Sequence, residues 1–365
     1  MPDTVPFLDL TRETKEVEDA LEDAIGRVVR SGHFVLGDEV SQFEREFADY
    51  CGAAEAIGVA SGTDAITVAL AALGVGAGAE VVTAANTCVP TVVGIERTGA
   101  TPVLADADPA TATLDPASAA EAITERTRAL VAVHLYGRCA EMGALAELAR
   151  RRGLLLVEDA SQAHGATYDG VRAGALADAA AFSFYPTKNL GALGDGGAVV
   201  TNDAAVAERA RALRSYGEDP DGVSRERGLN SRLDALQAAI LRAKLPFLDG
   251  WNERRRELAS LYATLLAGAG VELPQPDRHV FHLFVVRVRG RDAVRAALAA
   301  RGVETLIHYP RPVHEHPAYA QLGAGRSLPV SERLSREVLS LPLYPQLSAA
   351  EVEHVAAALG DATGG

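Results

Sequence analysis

Lys188 stands in Ala181-Phe-Ser-Phe-Tyr-Pro-Thr-Lys-Asn-Leu-Gly-Ala-Leu-Gly-Asp-Gly-Gly-Ala198, where an apolar strand pattern runs into a proline, a lone lysine and a glycine-rich turn. The chain has only two other lysines, Lys15 and Lys244, against a large excess of arginine. Arginine stays protonated and cannot act as an amine nucleophile. Lysine can, once burial or a neighbouring charge lowers its pKa. A single lysine at a strand end beside glycines is therefore a candidate for a Schiff base. The plainer alternative is a solvated lysine in a surface loop.

A second segment, Gly153-Leu-Leu-Leu-Val-Glu-Asp-Ala-Ser-Gln-Ala-His-Gly165, reads as a buried strand over Leu154–Val157 with acids at its carboxyl end. Ligands of open α/β sheets bind in the crevice at those ends. Asp159 falls there, and Glu158 falls on the opposite face if the strand persists. A pyridoxal phosphate enzyme needs a carboxylate to hold the pyridinium nitrogen protonated and a lysine to bind the aldehyde. Asp159 and Lys188 can supply both. The alternative for Asp159 is a helix N-cap. A third segment, Ala56-Ile-Gly-Val-Ala-Ser-Gly-Thr-Asp-Ala-Ile-Thr-Val-Ala-Leu-Ala-Ala-Leu73, passes from a short strand through Ser61-Gly62 into an apolar helix. Ser61 or Thr63 can cap it, and the free N–H groups of such a start suit a phosphate. They also suit an ordinary capped helix. Taken in order, phosphate cup, carboxylate and lysine form a far more specific set than any one of them.

These segments identify the chain as similar to the DegT/DnrJ/StrS family of sugar aminotransferases, pyridoxal phosphate enzymes of fold type I (aspartate aminotransferase-like). The resemblance runs nearly end to end. It is carried by Val5-Pro-Phe-Leu-Asp-Leu10, Gly37-Asp-Glu-Val-Ser-Gln-Phe-Glu44, Ser61-Gly-Thr-Asp64, Glu158-Asp-Ala-Ser-Gln-Ala-His-Gly165, Phe182-Ser-Phe-Tyr-Pro-Thr-Lys-Asn189, Asn230-Ser-Arg-Leu-Asp-Ala-Leu-Gln-Ala-Ala239 and His308-Tyr-Pro-Arg-Pro-Val-His314. It implies that Lys188 attaches the cofactor and later moves a proton, and that Asp159 pairs with the ring nitrogen. Gln162 bonds the ring hydroxyl. Gly62 and Thr63 supply N–H groups to the phosphate, and Ser183 adds its hydroxyl. It also implies that Asn230 reaches the phosphate of a partner subunit, hence a homodimer with shared sites. One position departs from the pattern: Cys88, in Asn86-Thr-Cys-Val-Pro90, stands where the family usually stacks an aromatic on the ring. A thiol gives up the stacking increment of about 0.5–1.5 kcal/mol, although it can still cover the ring as a soft apolar group.

The resemblance implies a nucleotide-linked keto sugar as substrate and an amino acid, usually glutamate, as donor. Arg225 and Arg232 lie beside Asn230 as a local basic patch for a diphosphate, or as a solvated charged loop. Tyr185, His308, Tyr309 and His314 are the other candidate substrate contacts, the last three on a lip of the C-terminal part or packed at a domain interface. Leu248-Asp-Gly-Trp-Asn-Glu-Arg-Arg255 together with Thr305-Leu-Ile-His-Tyr-Pro310 resembles the subgroup acting on dTDP-linked 3-keto sugars. A 4-keto substrate stays open. Dehydratase relatives replace the lysine with histidine, and a non-catalytic scaffold would lack Lys188, Asp159 or Gln162; all three are present.

The elements that must position these residues follow from hydrophobic periodicity. Strand-like runs at 57–60, 80–84, 101–105, 129–134, 154–157, 179–184 and 198–201 alternate with helices at 64–73, 88–97, 142–152 and 204–215. Val17, Leu21, Ile25 and Val28 mark an earlier amphipathic helix. That alternation predicts α/β architecture with a large, mostly parallel sheet. A helical zone from Ser231 to about Leu266 is broken at Pro246. Beyond it, strands at 281–289 and 303–308 and helices at 292–301, 331–339 and 349–359 predict a smaller α+β part. The expected division is a cofactor-binding domain over 1–245 and a C-terminal domain over 246–365. A formal net charge of −14 argues against nucleic-acid or anionic-membrane binding. The three cysteines have neither metal-type nor disulfide-framework spacing, so no metal is expected. Met1–Phe7 lacks a basic start followed by an apolar run, so a cytoplasmic location is expected.

Overall fold

The computed structural model describes residues 4–364. The first three residues of Met1–Phe7 and the last residue of the chain lie outside that range. Seven strands form the main sheet: β1 (Glu55–Val59), β2 (Glu80–Ala84), β3 (Thr101–Ala105), β4 (Thr127–Val133), β5 (Leu155–Asp159), β6 (Ala179–Ser183) and β7 (Gly197–Thr201). Their spatial order is β1-β7-β6-β5-β4-β2-β3. Only β7 runs against its neighbours; β6, β5, β4, β2 and β3 pair in parallel. All seven expected strands are present, as α/β architecture requires; β2 and β3 match to the residue and the ends of the others shift by at most two residues.

The strands are apolar on both faces because both are covered. On one face Ile57, Val59, Val131, Val157, Ala181 and Val199 pack with the helices Gly62–Ala72 and Ala204–Leu213. On the other, Phe182, Ala198 and Val200 meet the helices Asp38–Cys51 and Ala235–Lys244. Val82, Val103, Leu130 and Leu156 on that same side meet the helices Pro116–Ala122 and Met142–Arg152. The parallel strands therefore present their carboxyl ends along one edge, between two layers of helix.

Pro246 lies in a one-turn 3-10 segment, Leu245–Phe247, between the helices Ala235–Lys244 and Leu248–Leu265. The C-terminal part forms its own apolar cluster, with Leu258, Tyr262, Phe284, Leu298, Leu341 and Val355. It holds a two-stranded antiparallel sheet of β8 (Phe284–Arg287) and β9 (Val338–Leu341). Two expectations fail here. The expected strand at 303–308 is instead irregular backbone touching its neighbours at single bridges, Val5 to Val303 and Leu306 to Ser340. Pro310 and Pro312 follow directly and offer no N–H to extend a ladder. The helix expected to run to Leu339 ends at Glu337, and Val338–Leu341 is a strand. Pro342 disfavours helical backbone in the residue before it, and the buried Val-Leu-Ser-Leu run supplies side chains for both faces.

Strand β5 carries two acids to opposite sides. The fully buried Glu158 accepts N–H groups from Gly174 (2.9 Å) and Leu176 (2.9 Å) and meets His134 Nε2 at 2.9 Å. His134 Nδ1 accepts from Ala140 N–H at 3.1 Å, so Nε2 holds the proton and donates. Removing the carboxylate strands the buried donors of Gly174 and His134 and the part-buried N–H of Leu176. Glu158→Ala should lower the unfolding free energy by about 3–5 kcal/mol, measured by urea denaturation, and Glu158→Gln by less. An unchanged midpoint for Glu158→Ala would refute this account of the cluster.

Candidate active site

A cavity of about 320 Å3 opens at the carboxyl ends of the parallel strands. Lys188 enters it from the loop after β6, where its N–H donates to Tyr185 O at 2.8 Å. Asp159, the last residue of β5, enters beside it. No helix begins at Asp159, so the capping alternative is not the role this residue plays. Its Oδ2 accepts from the Thr91 hydroxyl at 2.7 Å and its Oδ1 from Ser161 N–H at 3.2 Å. Thr91 lies in the first turn of helix Val89–Glu96.

The start of helix Gly62–Ala72 forms the third wall. Ser61 is its N-cap, with Oγ accepting from Asp64 N–H at 3.1 Å. The N–H groups of Gly62 and Thr63 have no backbone or side-chain acceptor among the described residues. They point their partial positive charge toward the cavity they line. A side chain at position 62 would not fit: its Cβ would stand 2.5 Å from Ser183 Cβ.

Lys188 keeps part of its surface open to the cavity while protein surrounds the rest. Burial pushes its amine below the usual lysine value of 10.5, against the opposing pull of Cys88 and Asp159. The imidazoles around it are pushed down as well, first by burial and then by the charge of Lys188. His164 falls to about 3, His308 to about 4 and His282 well below 6.5. Lys188 is thus ringed by neutral rings. Lys244 cannot substitute: it is buried, with Nζ donating to Glu13 Oε1 at 2.7 Å and to Gly191 O at 2.9 Å. Lys15 is exposed on the helix Leu10–Glu16.

Cys88 caps helix Val89–Glu96 and lines the cavity, its thiol pushed up by burial with the Tyr309 hydroxyl and Lys188 beside it. Gln162 lines the cavity too. Its Oε1 accepts from Tyr136 N–H at 2.6 Å and its Nε2 donates to the Tyr309 hydroxyl at 3.1 Å. Through that bond Tyr309 reaches the site from the C-terminal part. His308, next to it, has Nδ1 2.8 Å from Ser340 Oγ and its carbonyl bonded by the Tyr136 hydroxyl. Ser183 forms part of the wall, and Tyr185 stands exposed at the mouth.

His308 and Tyr309 stand beside the cavity without lining it, and four further expected residues are not brought to it by their own chain. Asn230 is exposed and bridges Ser215. Arg225 pairs with Asp219 at 2.7 Å, and Arg232 lies over the Tyr216 ring at 5.5 Å. His314 faces Glu332 at 3.4 Å. Conversely, sequence reasoning missed Thr91, Ser161 and Asp195, which line the cavity. Thr91 had one available signal, a hydroxyl one turn into a helix that starts at a strand end.

The donor set fits pyridoxal phosphate: an amine with a lowered pKa, a carboxylate held by two hydrogen bonds, and unpaired N–H groups at a helix start for a phosphate. The chain matches the sequence profile of the DegT/DnrJ/EryC1/StrS aminotransferase family over residues 15–360. It is 51% identical to the dTDP-3-amino-3,4,6-trideoxy-alpha-D-glucose transaminase of Streptomyces venezuelae, covering 94% of this chain and 92% of that one. It is 47% identical to the dTDP-3-amino-3,6-dideoxy-alpha-D-galactopyranose transaminase of Aneurinibacillus thermoaerophilus, covering 97% and 98%. Among solved structures, S. venezuelae DesV in complex with a ketimine intermediate superposes with a TM-score of 0.96 at 50% identity, covering 99% and 98%.

Burial disfavours the ammonium form, so Lys188 should become neutral at a pH where an ordinary lysine is still protonated. Acetic anhydride labelling of the cofactor-free protein, followed by mass spectrometry across pH, should place its half-reaction below 10.5. A midpoint at or above that value would contradict the burial argument.

Proposed function

The chain belongs to the DegT/DnrJ/EryC1/StrS aminotransferase family, and we propose that it aminates carbon 3 of a dTDP-linked 3-keto-6-deoxyhexose with L-glutamate as donor. As a member of that family it is a pyridoxal phosphate-dependent sugar aminotransferase. The observation that carries the residue roles is the meeting of Lys188, Asp159 and the free N–H groups of Gly62 and Thr63 in one cavity. The 3-keto assignment is supported by the dTDP-3-amino sugars named for both bacterial relatives.

When bound, pyridoxal phosphate supplies an aldehyde carbon that takes up the amino group and a pyridinium ring that draws electrons from the carbon losing its proton. This chain's residues do the rest. Gly62 and Thr63 N–H groups and the Ser183 hydroxyl hold the phosphate. The Asp159 carboxylate, fixed by Thr91 and Ser161, keeps a proton on the ring nitrogen. Gln162 bonds the ring hydroxyl, and its side chain is itself fixed by Tyr136 and Tyr309. Lys188, being easily neutral, takes a proton at Nζ from one carbon and returns it to another. Cys88 covers one face of the cavity as a soft apolar group. Tyr185, at the mouth, and His308 with Tyr309, from the C-terminal side, meet the sugar. A cofactor-binding domain over 1–245 and a C-terminal domain over 246–365 would close on it from two sides.

The active unit in this reading is a homodimer whose sites are shared. Asn230, Arg225 and Arg232 lie outside their own chain's cavity, as residues lent to a partner's phosphate and diphosphate would. Exposed apolar side chains surround the same segment. Phe34 and Val35 adjoin Ala235, whose N–H donates to Phe34 O at 2.9 Å. Leu193 adjoins Gln237 (2.9 Å), and Tyr216 donates its N–H to Leu229 O at 2.8 Å. One isologous contact through this ring would cover it twice.

Incubation with glutamate and a panel of dTDP- and UDP-linked 3-keto and 4-keto sugars should yield a 3-amino dTDP sugar in preference. A 4-amino product would overturn the regiochemistry. Mixing inactive Lys188→Ala and Asn230→Ala subunits should restore part of the activity, because one hybrid site carries neither lesion. No recovery despite measured subunit exchange would rule out shared sites.

A further inference from the structure

Helix Leu248–Leu265 turns a polar stripe inward. Asn252 and Arg255, three residues apart on one face, are both buried. Arg255 has no carboxylate partner among the described residues; its NH1 donates to the carbonyls of Leu343 (2.8 Å) and Phe281 (3.3 Å). Asn252 uses both ends of its amide. Its Nδ2 donates to His164 O at 2.8 Å, and its Oδ1 accepts from Asn189 Nδ2 at 2.8 Å. A carbonyl can only accept, so this orientation of the amide is fixed by its partners. Asn189 is held further by His282, with 3.0 Å between Nδ1 and Oδ1, and by Val280 O at 3.3 Å.

The two partners of Asn252 are not arbitrary. His164 lies on the loop that leaves β5 just after Asp159, and Asn189 is the neighbour of Lys188. The approach is close: a Cβ on Gly165, whose φ is +81°, would stand 2.8 Å from Asn252 Nδ2. One amide therefore bridges the two catalytic loops from behind, without lining the cavity. The amide provides both a donor and an acceptor at this span. Aspartate lacks the donor, and alanine and leucine lack both.

We propose that Asn252 is a positioning residue: its amide fixes the loop after Asp159 against the loop carrying Lys188, and so sets where the amine meets the cofactor's carbonyl carbon. This rests on Lys188 being the attachment site. Attachment joins Nζ to that carbon with loss of one water, and a misplacement of about 1 Å at a reacting pair can cost on the order of a hundredfold in rate.

The test measures attachment rather than turnover. Cofactor-free wild-type protein and Asn252→Ala are mixed with pyridoxal phosphate, and borohydride is added at intervals to reduce the C=N bond. Peptide mapping then gives the labelled fraction of Lys188 per bound cofactor. Leu298→Ala, a core truncation in the C-terminal cluster, serves as the stability control. The expected result is attachment at least about tenfold slower in Asn252→Ala, and near wild-type in Leu298→Ala. Attachment at the wild-type rate in Asn252→Ala, or equal slowing in the control, would overturn the proposal. If Asn252→Ala does not fold, Asn252→Ser, which can meet one partner but not both, is read against the same control with the same two outcomes. Failure of the wild type itself to label at Lys188 would instead refute the attachment site.

Discussion

The parallel pairing of β5 with β6 is the constraint on which the rest depends. Asp159 stands opposite Ala181 in that register, so β5 ends in its acid while β6 still has two residues to run before its loop brings in Lys188. Slipping a strand by one residue would send Asp159 to the far face and Glu158 into the cavity. The register is held from the far face by Glu158, whose carboxylate gathers Gly174, Leu176 and His134. Two adjacent acids on one strand thus divide the labour: one secures the sheet and the other faces the ligand.

The same economy appears in how charge is handled. The cavity holds an amine, the thiol of Cys88 and the carboxylates of Asp159 and Asp195, and the imidazoles around Lys188 are kept neutral by burial. A protonated histidine there would compete with Lys188 for the same anionic partners. The charged groups that do lie behind the site are neutralised locally, as Lys244 is by Glu13, or spread over carbonyls, as Arg255 is. Behind the site, polarity is therefore carried by hydrogen-bonded amides and carbonyls, which do not change with pH.

Much of this was legible in the chain. Buried strands announce themselves as apolar runs ending in polar residues, so β2 and β3 were readable to the residue. Ser61-Gly62, Asp159 and Lys188 were legible because strand ends, helix starts and a rare lysine each limit the chemistry possible there. Other features had no local signal. Val338–Leu341 reads as the tail of a helix until Pro342 is weighed against it, and its pairing partner lies some fifty residues away. Thr91 and Asn252 look like ordinary helix residues; their partners, Asp159 and the Asn189–His164 pair, are distant in sequence and adjacent only through the sheet. The places of Arg225, Arg232, Asn230 and His314 were expected from kinship alone, and the fold of a single chain holds them away from its own cavity.

Gly62 and Ser183 touch across the cavity floor, where the start of a helix abuts the end of the strand leading to Lys188, with no room for one more carbon atom between them. Two positions more than a hundred residues apart therefore share a single allowance of volume. A side chain gained at position 62 is viable only in the company of a loss of volume at position 183. Chimeras whose crossover falls between them, in families that divide that volume differently, would join halves that each fold well elsewhere but collide here. The permissible breakpoints of this scaffold are thus set by steric bookkeeping at its floor as much as by the borders of its domains.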